Sequence, residues 1–494
     1  MPNKLQILPF LHERLGEKIL LVNVCGDHVF ATNQQLDSLL STTIKPGDPF
    51  YLELKSKHFI CDRNLEDVVN FLAIKFRTKK SFLRDFTSLH MMVITLRCNH
   101  RCEYCQVSSE SEDAAKWDMQ PQTAKAIIDV IFQSPSQHIK IEFQGGEPLL
   151  NWQTLKAAIE YAETKNLVEK RHLEFVICTN LYDLNDEILQ FIKDRNVCLS
   201  TSLDGPQEIH DGQRIVRSGS SSHEKFVQNL TKASKVIGQD RISALMTTTK
   251  KNISRLPEVI DEYIRLGFRG IFLRDLNPYG FAADNRSQIG YDIHNFVEAY
   301  KSVLDHLIAL NIRGTFFAEY YTVLLLQRIL TPFGTGFVDL QSPSGAGISG
   351  AIYDFNGDVF PADEARMLAR MGDTKFFMGN VFKNTHQEIF YGNTIKDLVR
   401  MSCVEIMPQC AICPFQVYCG ADPVRNYLDH KDLMGHRPSS DFCRKNMAIF
   451  RHLFSLLLRN DAKVMDVFWS WITRHQILIE DSECSQQSRH LTDS

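Results

Sequence analysis

Cys98, Cys102 and Cys105 stand in LRCNHRCEYCQ with the spacing C-x3-C-x2-C, three thiols within eight residues. Thiolates hold iron–sulfur clusters, and three of them on one loop can grip a four-iron cube while leaving its last iron open to an outside ligand. Zinc is the alternative. Structural zinc usually takes four protein ligands, commonly as paired C-x2-C units, and no fourth Cys or well-spaced His stands beside this triplet. His100 lies inside the loop and is expected to point away from a metal. A second set, Cys410, Cys413, Cys419 and Cys443, reads C-x2-C-x5-C followed by a distant Cys. Four thiolates close a site, and by spacing alone zinc and a four-iron cluster are equally open there. Cys178 and Cys198 fall within apolar strands and read as small buried hydrophobes.

The elements that must position these groups follow from periodicity. From about Leu89 the pattern alternates strand, loop and helix, as a parallel sheet with crossover helices requires. The candidate strands are HMMVITL, IKIEFQ, LEFVICT, VCLSTSL, ISALMTTT and GIFLRDL, with helices at TAKAIIDVIF, TLKAAIEYA and PEVIDEYIRLGF. Six such units predict an α/β fold built on a partial (β/α)6 TIM barrel. In barrels the reactive residues sit in loops after the carboxyl ends of the strands. The notable phrases fall there: CNHRCEYC after the first strand, GGEP after the second, TNL after the third and DGP after the fourth.

Residues 1–85 read as a small α+β module, with ILLVN and HVFAT as a hairpin and helical patterns at QQLDSLL and LEDVVNFLAIKF. The barrel is expected over 89–315. A cysteine-rich extension follows over 316–450, opening with the Gly- and Ser-rich SPSGAGISGA and a hairpin at IYDFNGDVF. An amphipathic helix and a polar tail after Glu480 complete residues 451–494.

Among 494 residues, 44% are apolar and 23% charged, with a formal net charge of −4, which is the balance of a folded globular chain and gives no electrostatic case for nucleic acid or anionic lipid. The first residues lack the succession of a secretory signal, and no run reaches the ~18 apolar residues of a membrane span. A cytoplasmic location is expected. Thiols stay reduced there, so metal binding and burial explain the 13 cysteines better than disulfides do.

The triplet, with Tyr104 just before its last Cys, resembles the signature of the radical S-adenosylmethionine superfamily. GGEP at Gly145–Pro148, SLDGP at Ser202–Pro206, then His210, Asp211 and Arg214 follow in the same order and register. The resemblance implies a 4Fe-4S cluster on Cys98, Cys102 and Cys105 whose open iron binds S-adenosyl-L-methionine. It places Gly145, Gly146 and Glu147 against the amino group of that cofactor, and Ser202 and Arg214 on its ribose and carboxylate. Glycines admit close backbone approach, and a guanidinium binds a carboxylate through two parallel bonds. Asn180 and Asp204 at strand ends are further cofactor-binding candidates, with helix capping as the alternative.

The second cysteine set resembles the SPASM extension of radical enzymes that modify peptides, matching the ligands of its second auxiliary cluster and implying one auxiliary 4Fe-4S cluster. Where a full extension carries more cysteines this chain has Ser344, Ala362 and Pro423, so two clusters in total are expected. Cys403 is the lone thiol that could restore part of the missing set, with simple burial as the alternative. Asp363 corresponds to the acidic residue that accepts a proton in the related anaerobic sulfatase maturases. Glu364 is the candidate replacement, and a surface ion pair with Arg366 the structural alternative.

LLVNVCGDHVFAT, IFLRDLNPYGFA, DEARMLARMGD and MPQCAICPFQVYCGADPVRNY resemble His-Xaa-Ser system radical SAM maturases. The implied activity is an oxidoreductase that cleaves S-adenosyl-L-methionine reductively, abstracts hydrogen from a partner peptide or protein, and installs an oxidation or a crosslink. The implied partners are a substrate polypeptide with His-Xaa-Ser repeats and an electron donor such as flavodoxin or ferredoxin. The amino-terminal module resembles small domains that read peptides by strand addition, with a simple packing module as the alternative. The alternatives are a sulfatase-type maturase that forms formylglycine and, in another class, a zinc-stabilised scaffold without catalysis.

Overall fold

The computed structural model describes residues 5–106, 109–111 and 113–475; the polar tail expected after Glu480 lies outside them. In the amino-terminal module, β1 (Phe10–Leu15), β2 (Lys18–Asn23) and β3 (His28–Ala31) form an antiparallel sheet in that order. The helices Asn33–Leu40, Pro49–Ser56 and Leu65–Lys79 follow. The apolar run in β2 is continuous because both its faces are covered: Ile19 and Leu21 join a small core with Val29, Leu39 and Phe59, whereas Leu20 and Val22 face the main core. The module is thereby cemented to the carboxyl-terminal part. The Tyr418 hydroxyl donates to the Gly26 carbonyl (2.8 Å), and the His28 ring meets Phe454 edge-on at 5.1 Å.

The six strands expected from alternation are β4 (Leu89–Thr95), β5 (His138–Gly145), β6 (His172–Cys178), β7 (Cys198–Ser202), β8 (Ile242–Thr247) and β9 (Leu273–Arg274). They lie side by side in sequence order, and every pairing is parallel. Crossover helices cover them. Pro121–Ile131, for instance, starts with Pro at a position where no amide donor is needed and buries Ala124, Ile127, Ile128 and Ile131 along one face. The last expected strand, GIFLRDL, is split. Gly270–Ile271 pairs with Ala318–Glu319 while Leu273–Arg274 pairs with β8, and between them Phe272 turns toward the rings of Tyr321 and Phe337.

The hairpin at IYDFNGDVF is β10 (Gly350–Tyr353) and β11 (Asp358–Phe360), and β10 lies parallel to β4 with Gly350 opposite Leu89. Antiparallel β11 and β12 (Gly379–Asn380) complete a nine-stranded sheet, which therefore runs on past residue 316. The single amphipathic stretch expected near the end is two helices, Asp441–Arg459 and Ala462–Thr473. Asn460 ends the first in a left-handed conformation (φ 50°), and the Asp461 side chain caps the amides of Lys463 and Val464. No helix among the described residues is long and apolar enough to cross a membrane.

Candidate functional site

The carboxyl ends of the parallel strands open on a cavity of about 440 Å³ whose wall includes Cys98, Cys102, Cys105, Gly145, Gly146, Asn180, Ser202, Arg214, Asp363 and Glu364. Segments separated by hundreds of residues thus meet at one place. The loop that carries the triplet is fixed by main-chain bonds. His100–Cys102 forms an antiparallel ladder with Arg214–Val216, with Cys102 opposite Arg214, and the Arg217 guanidinium donates to the Cys98 carbonyl (2.9 Å). The His100 amide donates to Cys98 Sγ (3.4 Å). His100, expected to turn away, stays on the cavity wall. Its Nδ1 lies 2.9 Å from Asn180 Nδ2, and burial lowers its pKa to about 3, so the ring is neutral.

Tyr104, between two of the thiols, is the hinge pin of the loop. Its hydroxyl donates to Asp204 Oδ2 (2.6 Å) and accepts from Arg214 Nη1 (2.6 Å). Asp204 corrects an expectation here: it is fully buried behind the wall, where Tyr104 occupies one carboxylate oxygen and the Thr247 amide reaches the other (3.4 Å). It bears on Arg214 through Tyr104 and offers nothing to a ligand in the cavity.

Glu147 is a second correction. Its side chain is 0% exposed and accepts from the Thr179 hydroxyl (2.8 Å) and the amides of Asn180 (2.8 Å) and Leu149 (3.1 Å). Burial pushes its pKa up to about 7 against those bonds. The carboxylate ties the end of β5 to the end of β6 and is turned from the cavity. Gly145 and Gly146 do line the cavity, yet their first constraint is the chain itself. A Cβ on Gly145 (φ +152°) would stand 2.1 Å from the Thr95 carbonyl oxygen, and one on Gly146 2.1 Å from that of Arg97. The amides of Gly146 and Glu147 bond those same carbonyls, so the GGE turn clasps the start of the cysteine loop. Cys178 is also not the buried hydrophobe expected: it is half-buried on the cavity wall.

Opposite the thiols, Asp363 accepts from Arg366 Nε (3.0 Å), and Arg366 is 1% exposed, so the ion pair expected at the surface is buried. Glu364 lies 3.5 Å from both Arg274 Nη2 and Asn277 Nδ2. Burial first, then the neighbouring Asp339 carboxylate, pushes Glu364 up to about 8. Asp339, also on this wall, is likewise held above the ordinary carboxylate range by burial and by Asp422. No motif pointed to Asp339.

Cys410, Cys413, Cys419 and Cys443 all line a separate cavity of about 330 Å³ against the start of helix Asp441–Arg459. Asn446 Nδ2 donates to Cys419 Sγ (3.6 Å), and the Ser440 hydroxyl caps the Cys443 amide (3.3 Å). The twelve described cysteines are free thiols, which leaves both sets available to metal. Burial pushes Cys102 and Cys413 up to about 12 and Cys419 to about 11, so as thiolates they need a cationic centre. Among the described residues no three His, Cys, Asp or Glu side chains converge closely enough to hold a single metal ion; each thiol set lines a cavity. Ser344 is buried with its amide bonded to Ser402 Oγ (2.8 Å), Ala362 and Pro423 flank helix starts, and Cys403 Sγ donates to the Val399 carbonyl (3.3 Å), so these positions supply no further thiol set.

The Radical SAM superfamily model matches residues 92–266. An uncharacterised protein of Methanocaldococcus jannaschii is 30% identical over 190 residues, 38% of this chain; the chain spans 62% of that protein's length. A cysteine-type anaerobic sulfatase-maturating enzyme of Clostridium novyi is 24% identical over 361 residues, covering 69% of this chain and 88% of that one. Among solved structures, anSMEcpe with bound AdoMet and the Cp18Cys peptide superposes with a TM-score of 0.61 at 17% identity, over 76% of this chain and 98% of the other. The α/β fold with its mostly parallel sheet is therefore that of the radical SAM partial barrel.

Proposed function

Given that this chain is a radical SAM superfamily enzyme, matched over residues 92–266, we propose that it is a peptide maturase that takes a hydrogen atom from a partner polypeptide to install an oxidation or a crosslink. In this reading Cys98, Cys102 and Cys105 hold a 4Fe-4S cluster, and Cys410, Cys413, Cys419 and Cys443 hold one auxiliary 4Fe-4S cluster. Gly145, Gly146, Asn180, Ser202 and Arg214 bind S-adenosyl-L-methionine. When bound, these groups supply the electron and the 5′-deoxyadenosyl radical that abstracts hydrogen. The observation that carries the reading is the convergence of the three thiols and Arg214 on one cavity, with Tyr104 bonded to Arg214 at 2.6 Å.

The chain's own residues bind and orient. Arg214 presents a buried guanidinium suited to the carboxylate of the cofactor, and Asp204 holds it in place through Tyr104. Both Arg366 contacts to Asp363 end on Oδ1, so in this reading Oδ2, outside that pair, takes the proton released by substrate. Glu364 beside it offers a second carboxylate. The partner would be a polypeptide bearing His-Xaa-Ser repeats, with a flavodoxin or ferredoxin as electron donor, in a cytoplasmic setting.

A second reading, oxidation of Cys or Ser to formylglycine, is favoured by the similarity over 88% of the Clostridium novyi sulfatase-maturating enzyme. Residues Ser344, Ala362 and Pro423 favour the first, because the thiols of a further cluster are missing there. Anaerobic reaction of the reduced enzyme with a His-Xaa-Ser repeat peptide and with a Cys- or Ser-bearing sulfatase peptide, read by mass spectrometry, separates the two. Formation of 5′-deoxyadenosine by a Cys98→Ala variant would refute both.

A further inference from the structure

The two thiol-lined cavities lie back to back. Phe337 and Asp339 line the first, and Cys419 and Asn446 line the second. Their walls touch at Gly420, the residue after Cys419: a Cβ there would stand 2.3 Å from the Asp339 carbonyl oxygen. The missing side chain lets the second thiol set approach the first cavity this closely.

A line of side chains crosses the same wall. The Phe337 ring meets the Tyr321 ring edge-on, with centroids 6.1 Å apart. The Tyr321 hydroxyl donates to Asn446 Oδ1 (2.6 Å), and Asn446 Nδ2 donates to Cys419 Sγ (3.6 Å). Both residues are buried. The order of these bonds sets a direction. An amide side chain can show a neighbour either its oxygen or its N–H groups. With its oxygen held by the Tyr321 proton, Asn446 turns an N–H to the sulfur. The next residue back on that helix, Lys445, donates to Asp275 on the wall of the first cavity (2.6 Å) and lies 5.4 Å from the centre of the Tyr321 ring. The helix that carries Cys443 and Asn446 is thereby fixed against this wall. Core satisfaction of the Tyr321 hydroxyl would be met by any acceptor, whereas this arrangement delivers an N–H to a ligand sulfur. Such a bond stabilises the more negative, reduced form of an iron–sulfur cluster and raises its potential.

We propose that Tyr321 and Asn446 are positioning residues for the second thiol set, aiming an N–H at Cys419 so that a 4Fe-4S cluster held there can take one electron from a substrate radical in the first cavity. The substrate radical left by hydrogen abstraction gives one electron to the oxidised cluster and one proton to the carboxylate of Asp363 or Glu364, and closes its shell. A one-electron carrier of the flavodoxin or ferredoxin class then reoxidises the cluster. The pair rests on the peptide-maturase reading and names the residues that fit its second cluster to act as oxidant.

The test is a redox titration followed by electron paramagnetic resonance on the full chain, reconstituted without oxygen. S-Adenosyl-L-methionine is added to mark the first cluster by its perturbed signal, which leaves the second cluster to be read. Tyr321→Phe keeps the ring and frees the Asn446 amide. It should shift the reduction equilibrium of the second cluster about tenfold toward the oxidised form, which for one electron is a potential lower by about 59 mV. Asn446→Leu should do the same, and the double variant should add nothing further, because the two residues act in one line. About eight irons per chain are expected in the parent and in all three variants. Unchanged potentials in both single variants, or additive shifts in the double one, overturn the pair. Loss of about four irons from Tyr321→Phe reduces it to structural support and overturns its redox role. A parent with about four irons and no second signal overturns the cluster reading itself, and the pair with it.

Discussion

Replacing Tyr104 by Phe removes one oxygen atom and tests how the cysteine loop is held. The phenol makes two bonds of 2.6 Å, one to Asp204 and one from Arg214, both charged and both buried. Bonds to charged groups contribute roughly 1.5–3 kcal/mol each, so the pair sets a ceiling of about 3–6 kcal/mol. Phe leaves almost no void, so no cavity cost adds to this. Asp204 and Arg214 keep their mutual attraction, which offsets part of the loss and gives an expected destabilisation of ~2–4 kcal/mol. Asp204, already raised by burial and held down by Arg214 and by the Tyr104 hydrogen bond, should rise further. Urea denaturation of the apoprotein reads the stability, and iron analysis and S-adenosylmethionine affinity read the site. We predict near-normal iron, because the thiols remain, and roughly tenfold weaker cofactor binding from a guanidinium that has lost its bearing, equivalent to about 1.4 kcal/mol. A variant within ~0.5 kcal/mol of the parent with unchanged affinity would refute the claim that Tyr104 clamps Arg214.

Gly146→Ala should cost more than about 3 kcal/mol and yield little soluble protein, because its Cβ would meet the Arg97 carbonyl, whereas Gly212→Ala, with nothing within 4 Å, should be tolerated. Soluble expression and thermal melts compare the two. Glu364 titrates higher in the folded chain than its ordinary 4.5, at about 8, so the folded state keeps a proton that the unfolded state gives up. Its contribution is whole below about 4.5 and is lost as pH rises through about 8. Melting temperature should fall across that window, and Glu364→Gln should flatten the fall. Cys413→Ala should remove about four irons per chain and stop peptide modification, while uncoupled formation of 5′-deoxyadenosine continues; product formation by this variant would reduce the second thiol set to a structural role.

The strands of the parallel sheet were legible because apolar residues recur every second position or fill whole runs, as in Ile242, Ala244 and Met246 of β8 or Met92 to Ile94 of β4. β1 was missed because FLHERL sets three charged or polar residues among three apolar ones, so a strand half open to solvent carries little signal. The pairing of β10 with β4 joins residues more than 250 positions apart, and nothing local specifies a parallel neighbour at that distance. At the site, spacing located the thiols, the glycines and Arg214. Glu147 and Asp204 were also found, but their direction was not: a carboxylate beside a glycine turn can face the cavity or the chain, and hydrogen bonds from Thr179, Asn180 and Tyr104 decide for the chain. Asp339 stands in no motif, and its importance comes from burial beside Glu364, which only the folded arrangement creates.

A redox cluster at the first thiol set is tested most directly by iron, sulfide and 5′-deoxyadenosine formation for the anaerobically reconstituted parent chain beside a Cys98→Ala, Cys102→Ala, Cys105→Ala triple variant. The parent should carry about eight irons and cleave S-adenosyl-L-methionine once reduced, and the variant should carry about four and cleave none. Stoichiometric zinc in place of iron, or cleavage by the triple variant, would contradict it.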